Sequence, residues 1–173
     1  MGRQAFWGFC LLACLIGTSL VEGSPKIQAR AKCPNQAVYY RLQCYHPIYR
    51  LLSWDDAEIE CQHLRSGGHL ATFRTAAEER IVSSHIRRTS TATNAWIGMH
   101  AVQESNKLNW QWSDATSYTP GDSLWDNRAP SSTASSSQCI SVANIHSPGS
   151  TTRWTQHTCH SVLPSICKYK ATL

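Results

Sequence analysis

Between Asn127 and Leu173 the chain carries Arg128, Arg153, Lys168 and Lys170, with His146, His157 and His160 among them, and no Asp or Glu. Chemistry that needs a carboxylate, as general base or as a ligand to a hard cation, finds none in that stretch. One-signed charge of this kind attracts acidic partners: sulfated glycans, bacterial envelope polymers, anionic lipid or mineral surfaces. A solvated basic face that serves solubility is the plainer alternative. Zinc is not expected either, because His157-Thr158-Cys159-His160 lacks a Cys-x-x-Cys partner and would compete with disulfide formation.

Other classes fail on inventory. No Gly-x-Ser-x-Gly elbow, His-Glu-x-x-His helix or phosphate loop occurs, so no enzyme is expected. The acid pairs Asp55-Asp56 and Glu78-Glu79 sit in first helical turns, where they complement the helix dipole. Trp110 and Trp112 alternate with Leu108 on one strand face, which reads as core. Trp125 differs, since it opens the polar run Asp126-Asn127-Arg128, where its ring could stack on a sugar or anchor the loop.

These groups need a frame, and cysteine supplies it. Residues 1–23 read as a signal peptide: a short basic start at Arg3, an apolar run from Ala5 to Gly17, and Val21-Glu22-Gly23 at the cleavage site. The run is shorter than the roughly 20 residues a membrane span needs, so the mature chain is expected to be secreted. Removing Arg3 and Glu22 leaves the net charge at +5. Cys10 and Cys14 leave with the leader, and Cys33, Cys44, Cys61, Cys139, Cys159 and Cys167 then form three disulfides in one of 15 pairings.

The mature length suits one α+β domain. Residues 24–32 read as a flexible basic arm and 33–170 as the domain. Ser53 caps a first helix whose Trp54, Ala57, Cys61 and Leu64 form an inward stripe, and Thr75 caps a second that runs through Ile81, Val82 and Ile86 to Arg87-Arg88. Short buried strands follow at Trp96-Ile97-Gly98-Met99, around Trp110, at Ile140-Ser141-Val142 and at Ile166-Cys167-Lys168-Tyr169. The loop from Ser113 to Ser137 is long enough to mark a functional or disulfide-held segment.

Cys33-Pro34, Cys44-Tyr45, the helix bearing Cys61, His69-Leu70-Ala71, Trp96-Ile97-Gly98-Met99, Trp110-Gln111-Trp112, Cys139, Trp154, Cys159 and Cys167 together resemble the C-type lectin-like domain. Ala29-Arg30-Ala31-Lys32, Ile81-Val82-Ser83-Ser84 and Trp125-Asp126-Asn127-Arg128-Ala129-Pro130-Ser131 are similar to the regenerating (Reg) branch, with its lithostathines and pancreatitis-associated proteins. Eggshell lectin-like proteins are a near second likeness. The resemblance implies two helices, short antiparallel sheets, a long loop and the pairs Cys33–Cys44, Cys61–Cys167 and Cys139–Cys159. It also implies a trypsin-like cut at Arg30-Ala31, and a Pro130 that is cis for reasons of loop shape.

The departures from the family carry the functional expectation. Sugar-binding members hold calcium with carboxylates and amides from three places, where this chain has Ala129-Pro130-Ser131, Ser137-Gln138 and Thr155-Gln156. No cofactor or metal is therefore expected. In calcium-independent Reg proteins a loop Glu-Pro-Asn holds saccharide, and the corresponding segment here is Glu104-Ser105-Asn106-Lys107. A carboxylate and an amide can grip vicinal hydroxyls, although an ordinary exposed turn is the competing reading.

The expected ligand set is then Glu104, Asn106, Lys107, Trp125, Asn127, Arg128, Arg153 and His157. Its expected partners are glycans or anionic polymers, on a bacterial surface or a cell-surface receptor, with no nucleic acid. The expected function is calcium-independent binding in mucosal or glandular innate defence, by a monomer or weak associate. The rival is a non-sugar interaction protein: a receptor-binding growth or regulatory factor, or a matrix or mineral binder.

Overall fold

The computed structural model describes residues 31–104, 107–118, 138–146 and 152–172. The chain runs β1 (Val38–Tyr40), β2 (Gln43–Leu52), α1 (Trp54–Leu64), β3 (His69–Leu70), α2 (Ala76–Thr89), β4 (Ala95–Glu104), β5 (Lys107–Trp112), β6 (Gln138–Ala143), β7 (Arg153–Thr158) and β8 (Leu163–Lys170). Among the described residues the main strand order is β1-β2-β8-β4-β6-β7, with β3 paired to β8 and β5 to β4. All pairings are antiparallel except β4 with β8, which touch at Trp96 and Ser165. The expected α+β class with two helices is the observed one.

Both helices begin where their caps require. Ser53 Oγ accepts the Asp56 amide and Thr75 Oγ1 accepts the Glu78 amide, each at 3.2 Å. In α1 the stripe Trp54, Ala57 and Cys61 is buried, and Trp54 Nε1 donates to Ile97 O at 2.8 Å, tying the helix to β4. In α2, Val82 and Ile86 are buried while Ile81 is exposed on the outer face.

Two large apolar clusters lie along the sheet, with a smaller third around Cys44. One gathers Tyr45, Phe73, Val82, Ile86, Met99, Trp112 and Trp154 under α2, with the Trp112 and Trp154 rings edge-on at 5.5 Å. The other packs Trp54, Ala57, Leu70 and Trp96 around Cys61, Cys139, Cys159 and Cys167. On β5, Leu108 and Trp112 are buried as expected, but Trp110 is only half-buried.

The disulfides are Cys33–Cys44, Cys61–Cys167 and Cys139–Cys159, as the resemblance implied. Cys61–Cys167 pins α1 to β8 across a sequence separation of 106. The last residues of the expected arm are held: Ala31 packs against the cluster of Cys44, Tyr169 and Ala171, and Lys32 bridges to Thr172.

β2 was not read from the sequence. Pro47 in its middle argues against a strand. Yet β1 covers only Gln43 to Tyr45, so from His46 onward β2 pairs on one side with β8, and Pro47 sits opposite Ile166 without a donor being required on its outer edge. The polar strand β7 was also missed; it forms by register with β6, beside the Cys139–Cys159 bridge.

Candidate functional site

The sequence-predicted ligand residues do not converge on one place. Glu104 and Lys107 are exposed register partners that close the β4–β5 hairpin, and Asn109 Nδ2 donates to Glu104 Oε2 at 2.5 Å. Ala101 of β4 pairs with Gln138, so the hairpin tip and the start of β6 share one end of the sheet. Arg153 pairs with Ala143 at the other end of β6, five residues from Gln138, or about 17 Å along the strand. It therefore cannot share a small ligand with Glu104. Asn106, Trp125, Asn127, Arg128, Arg30 and Pro130, with the loop 119–137, lie outside the described residues.

His157 is committed to the fold. Its Nε2 lies 2.9 Å from Ser141 Oγ, and its ring meets Trp96 edge-on at 5.5 Å. Burial holds its pKa below the usual histidine range. It adds no fixed positive charge to a basic face at neutral pH.

Strand alternation places Gln138, Ile140 and Val142 with Trp154, Gln156 and Thr158 on one face, opposite the face of Arg153 and His157. At the hairpin end of that face Gln156 Nε2 donates to Gln138 Oε1 at 3.1 Å. The half-buried Trp110, paired with Ala101, belongs to the same row. Two neutral amides thus bond to each other where the resemblance predicts carboxylate ligands in calcium-binding members. Among the described residues no group of three or more His, Cys, Asp or Glu gathers as a metal site.

A cleft of about 390 Å³ opens on a different part of the molecule, between the β1–β2 turn, the start of α2 and β8. Its floor is a buried polar network. Glu78, 7 % exposed, accepts the Tyr45 hydroxyl and, at 3.3 Å, the Lys168 ammonium on Oε1, while Oε2 accepts the Arg74 amide at 2.7 Å. Lys168 Nζ also donates to Thr72 O at 2.7 Å.

The Tyr45 hydroxyl is driven far up in pKa by burial and then by the Glu78 carboxylate, so it stays a donor. Burial pushes Asp114 up, but hydrogen bonding, from the Thr116 amide at 3.0 Å among others, and the Lys168 charge outweigh it and hold the carboxylate below its usual range. Sequence reading saw Glu78 only as a first-turn acid. Its partners Tyr45 and Lys168 lie 33 and 90 residues away, beyond any local signal.

A second missed carboxylate stitches α1 to β3. Glu58, 8 % exposed, meets His69 Nδ1 at 2.6 Å and Gln62 Nε2 at 2.8 Å, and its other oxygen accepts the Leu70 amide at 2.8 Å. Every oxygen is taken by the fold, which makes this group structural.

Two helices on a mainly antiparallel sheet, a chain that returns as β8 to the middle of that sheet, and three disulfides in this pairing define a C-type lectin-like domain. The family model described as Lectin C-type domain matches residues 50–169. The chain belongs to this family, and within it to the Reg/lithostathine branch. It is 31 % identical over 169 residues to lithostathine of Bos taurus, covering 92 % of this chain and 91 % of that one. It is 32 % identical over 169 residues to regenerating islet-derived protein 3-beta of Mus musculus, with the same coverage. Among solved structures, human lithostathine superposes with a TM-score of 0.67 at 30 % identity over 86 % of this chain and 97 % of that chain. Ovocleidin-17, a major protein of the Gallus gallus eggshell calcified layer, superposes at 0.64 with 26 % identity over 81 % and 100 %.

Proposed function

We propose that this chain is a secreted Reg-type lectin that binds carbohydrate or anionic polymer without calcium and serves innate defence at a mucosal or glandular surface. The observation that carries the reading is the Gln138–Gln156 amide pair. A calcium ion takes six to eight oxygens and needs anionic ones to offset its charge. A neutral amide supplies none of that charge, and one lone pair of Gln138 Oε1 is already taken by Gln156 Nε2. Affinity must then come from fixed cations, aromatic faces and hydrogen bonds, and the acid-free stretch after Asp126 supports an acidic polymer as the partner. Secretion is supported by the leader-like residues 1–23 and the three disulfides. Among the described residues no helix is long and apolar enough to cross a membrane. Cleavage at Arg30-Ala31 belongs to the same proposal, with Ala31 packed against the domain as the new terminus.

The test is retention of the disulfide-bonded protein on peptidoglycan, mannan and heparin beads, in EDTA and in millimolar calcium, across a salt series. Retention unchanged by EDTA and weakened by salt is expected. Strict calcium dependence overturns the reading. The likeness to an eggshell calcified-layer protein favours a second reading, mineral or matrix binding without a sugar site. An empty metal-free glycan array together with retention on calcium carbonate would select it.

A further inference from the structure

We infer that the cleft between the β1–β2 turn and the start of α2 is a ligand site for an acidic sugar residue, a uronate carboxylate or a sulfate ester carried on a glycan chain. The inference rests on the acidic-glycan reading above and gives it a location that none of the expected ligand residues occupies.

The charge balance of the cleft argues for an anion. It contains Arg41, Arg74 and Lys168 against Glu78 and Asp114. The two acids are already engaged: Glu78 accepts from Tyr45, Lys168 and the Arg74 amide, and Asp114 accepts the Thr116 amide at 3.0 Å and feels the Lys168 charge. Lys168 is the counter-ion they share. The Arg41 and Arg74 side chains are left exposed at the mouth, and neither belongs to an ion pair among the described residues. Two unneutralised guanidinium groups on one cleft offer the forked donors that a carboxylate or sulfate accepts.

The backbone adds an independent observation. Arg41 and Leu42 form the two-residue turn between β1 and β2 with φ of 44° and 67°, the left-handed pair that such a hairpin demands. Asn-Gly satisfies that geometry with little strain, and Arg-Leu does not. Strain retained at a surface turn points to a role for the side chain it displays. The strained residue here is the one whose guanidinium lies over the Tyr40 ring, 5.4 Å from its centroid, at the cleft wall.

A sugar suits the remaining walls better than an acidic peptide. The Gln43 amide and Thr75 hydroxyl line the cleft with the cations, able to meet ring hydroxyls. A volume of about 390 Å³ lies in the range of sites for small ligands.

The experiment is calorimetric titration of the full disulfide-bonded protein with a sulfated heparin disaccharide, an unsulfated glucuronate disaccharide, a neutral disaccharide and a hexaglutamate peptide. It is repeated on Arg41→Gln/Arg74→Gln and on Arg88→Gln, an exposed cation in the last turn of α2 outside the cleft. Loss of two charge-assisted contacts is expected to weaken the acidic disaccharide at least about tenfold in the double variant, with Arg88→Gln within about twofold. Both acidic sugars distinguish sulfate from carboxylate. Unchanged binding by the double variant overturns the cleft site while bead retention keeps the lectin reading standing. Preference for hexaglutamate or for the neutral sugar overturns the acidic-sugar assignment. Failure of both acidic disaccharides to bind the parent protein overturns the cleft site, and failure of every bead polymer to retain it overturns both.

Discussion

Replacing Arg41-Leu42 by Asn-Gly should make the fold more stable while emptying the cleft mouth of one cation. Both residues hold left-handed φ values, 44° and 67°, and a non-glycine residue in that region is disfavoured by roughly 1–2 kcal/mol. Glycine removes the strain at the second position, and asparagine removes part of it at the first. Against this stand the lost Arg41–Tyr40 contact, about 0.5–1 kcal/mol at an exposed site, and the added unfolded-state freedom of glycine, about 0.5–1 kcal/mol. Leu42 is 57 % exposed, so its side chain contributes little. The net gain is about 1 kcal/mol, or about 2–4 °C in Tm for a chain of this length. Guanidinium titration and thermal melts of the oxidised protein measure it, with the slope of the denaturant transition held constant as the check on two-state behaviour. A Tm unchanged or lowered would refute the strain argument, and with it the backbone half of the case for the cleft.

The disulfides should differ in worth. Replacing Cys61 and Cys167 by Ala is expected to cost about 2 kcal/mol more than replacing Cys33 and Cys44, because their separations are 106 and 11 residues; paired denaturation curves check the order. Stability should fall on acidification below about pH 6.5. Burial holds His46, His100 and His157 below the ordinary histidine range, so the folded state binds fewer protons than the unfolded one in that window. Melting across pH 4.5–7.5 tests this, and a His100→Gln variant should flatten the dependence in part. A Gly98→Ala change should destabilise, since a Cβ there would stand 2.7 Å from Leu70 O and 2.8 Å from Ser113 Oγ; a melt no lower than the parent's would contradict the close packing of β4 on β3.

Both helices were legible because their signals are local: Ser53 and Thr75 precede acids at cap spacing, and the Cys61 stripe repeats every three to four residues. The disulfide pairing was legible only through family resemblance, since spacing leaves all 15 pairings open. β2 escaped because Pro47 argues against a strand until the one-sided pairing is known. The candidate site was harder. Arg153 and Glu104 both read as ligand residues in the sequence, yet strand register sets them at opposite ends of the sheet. Arg41, Arg74 and Lys168 come from three distant segments, and only the fold reveals that the intervening acids are consumed internally.

β8 occupies the seam of the sheet, pairing with β2, β3 and β4 and carrying the sulfur that secures α1. Everything from β1 to β7 therefore emerges from the ribosome before the strand that unites it. Until β8 has been synthesised, Cys61 has no native partner and the edges of β2 and β4 lie open. Assembly of this domain thereby waits for its last strand. Ribosome-stalled chains ending before Leu163 should remain sensitive to protease, whatever the strength of their helices.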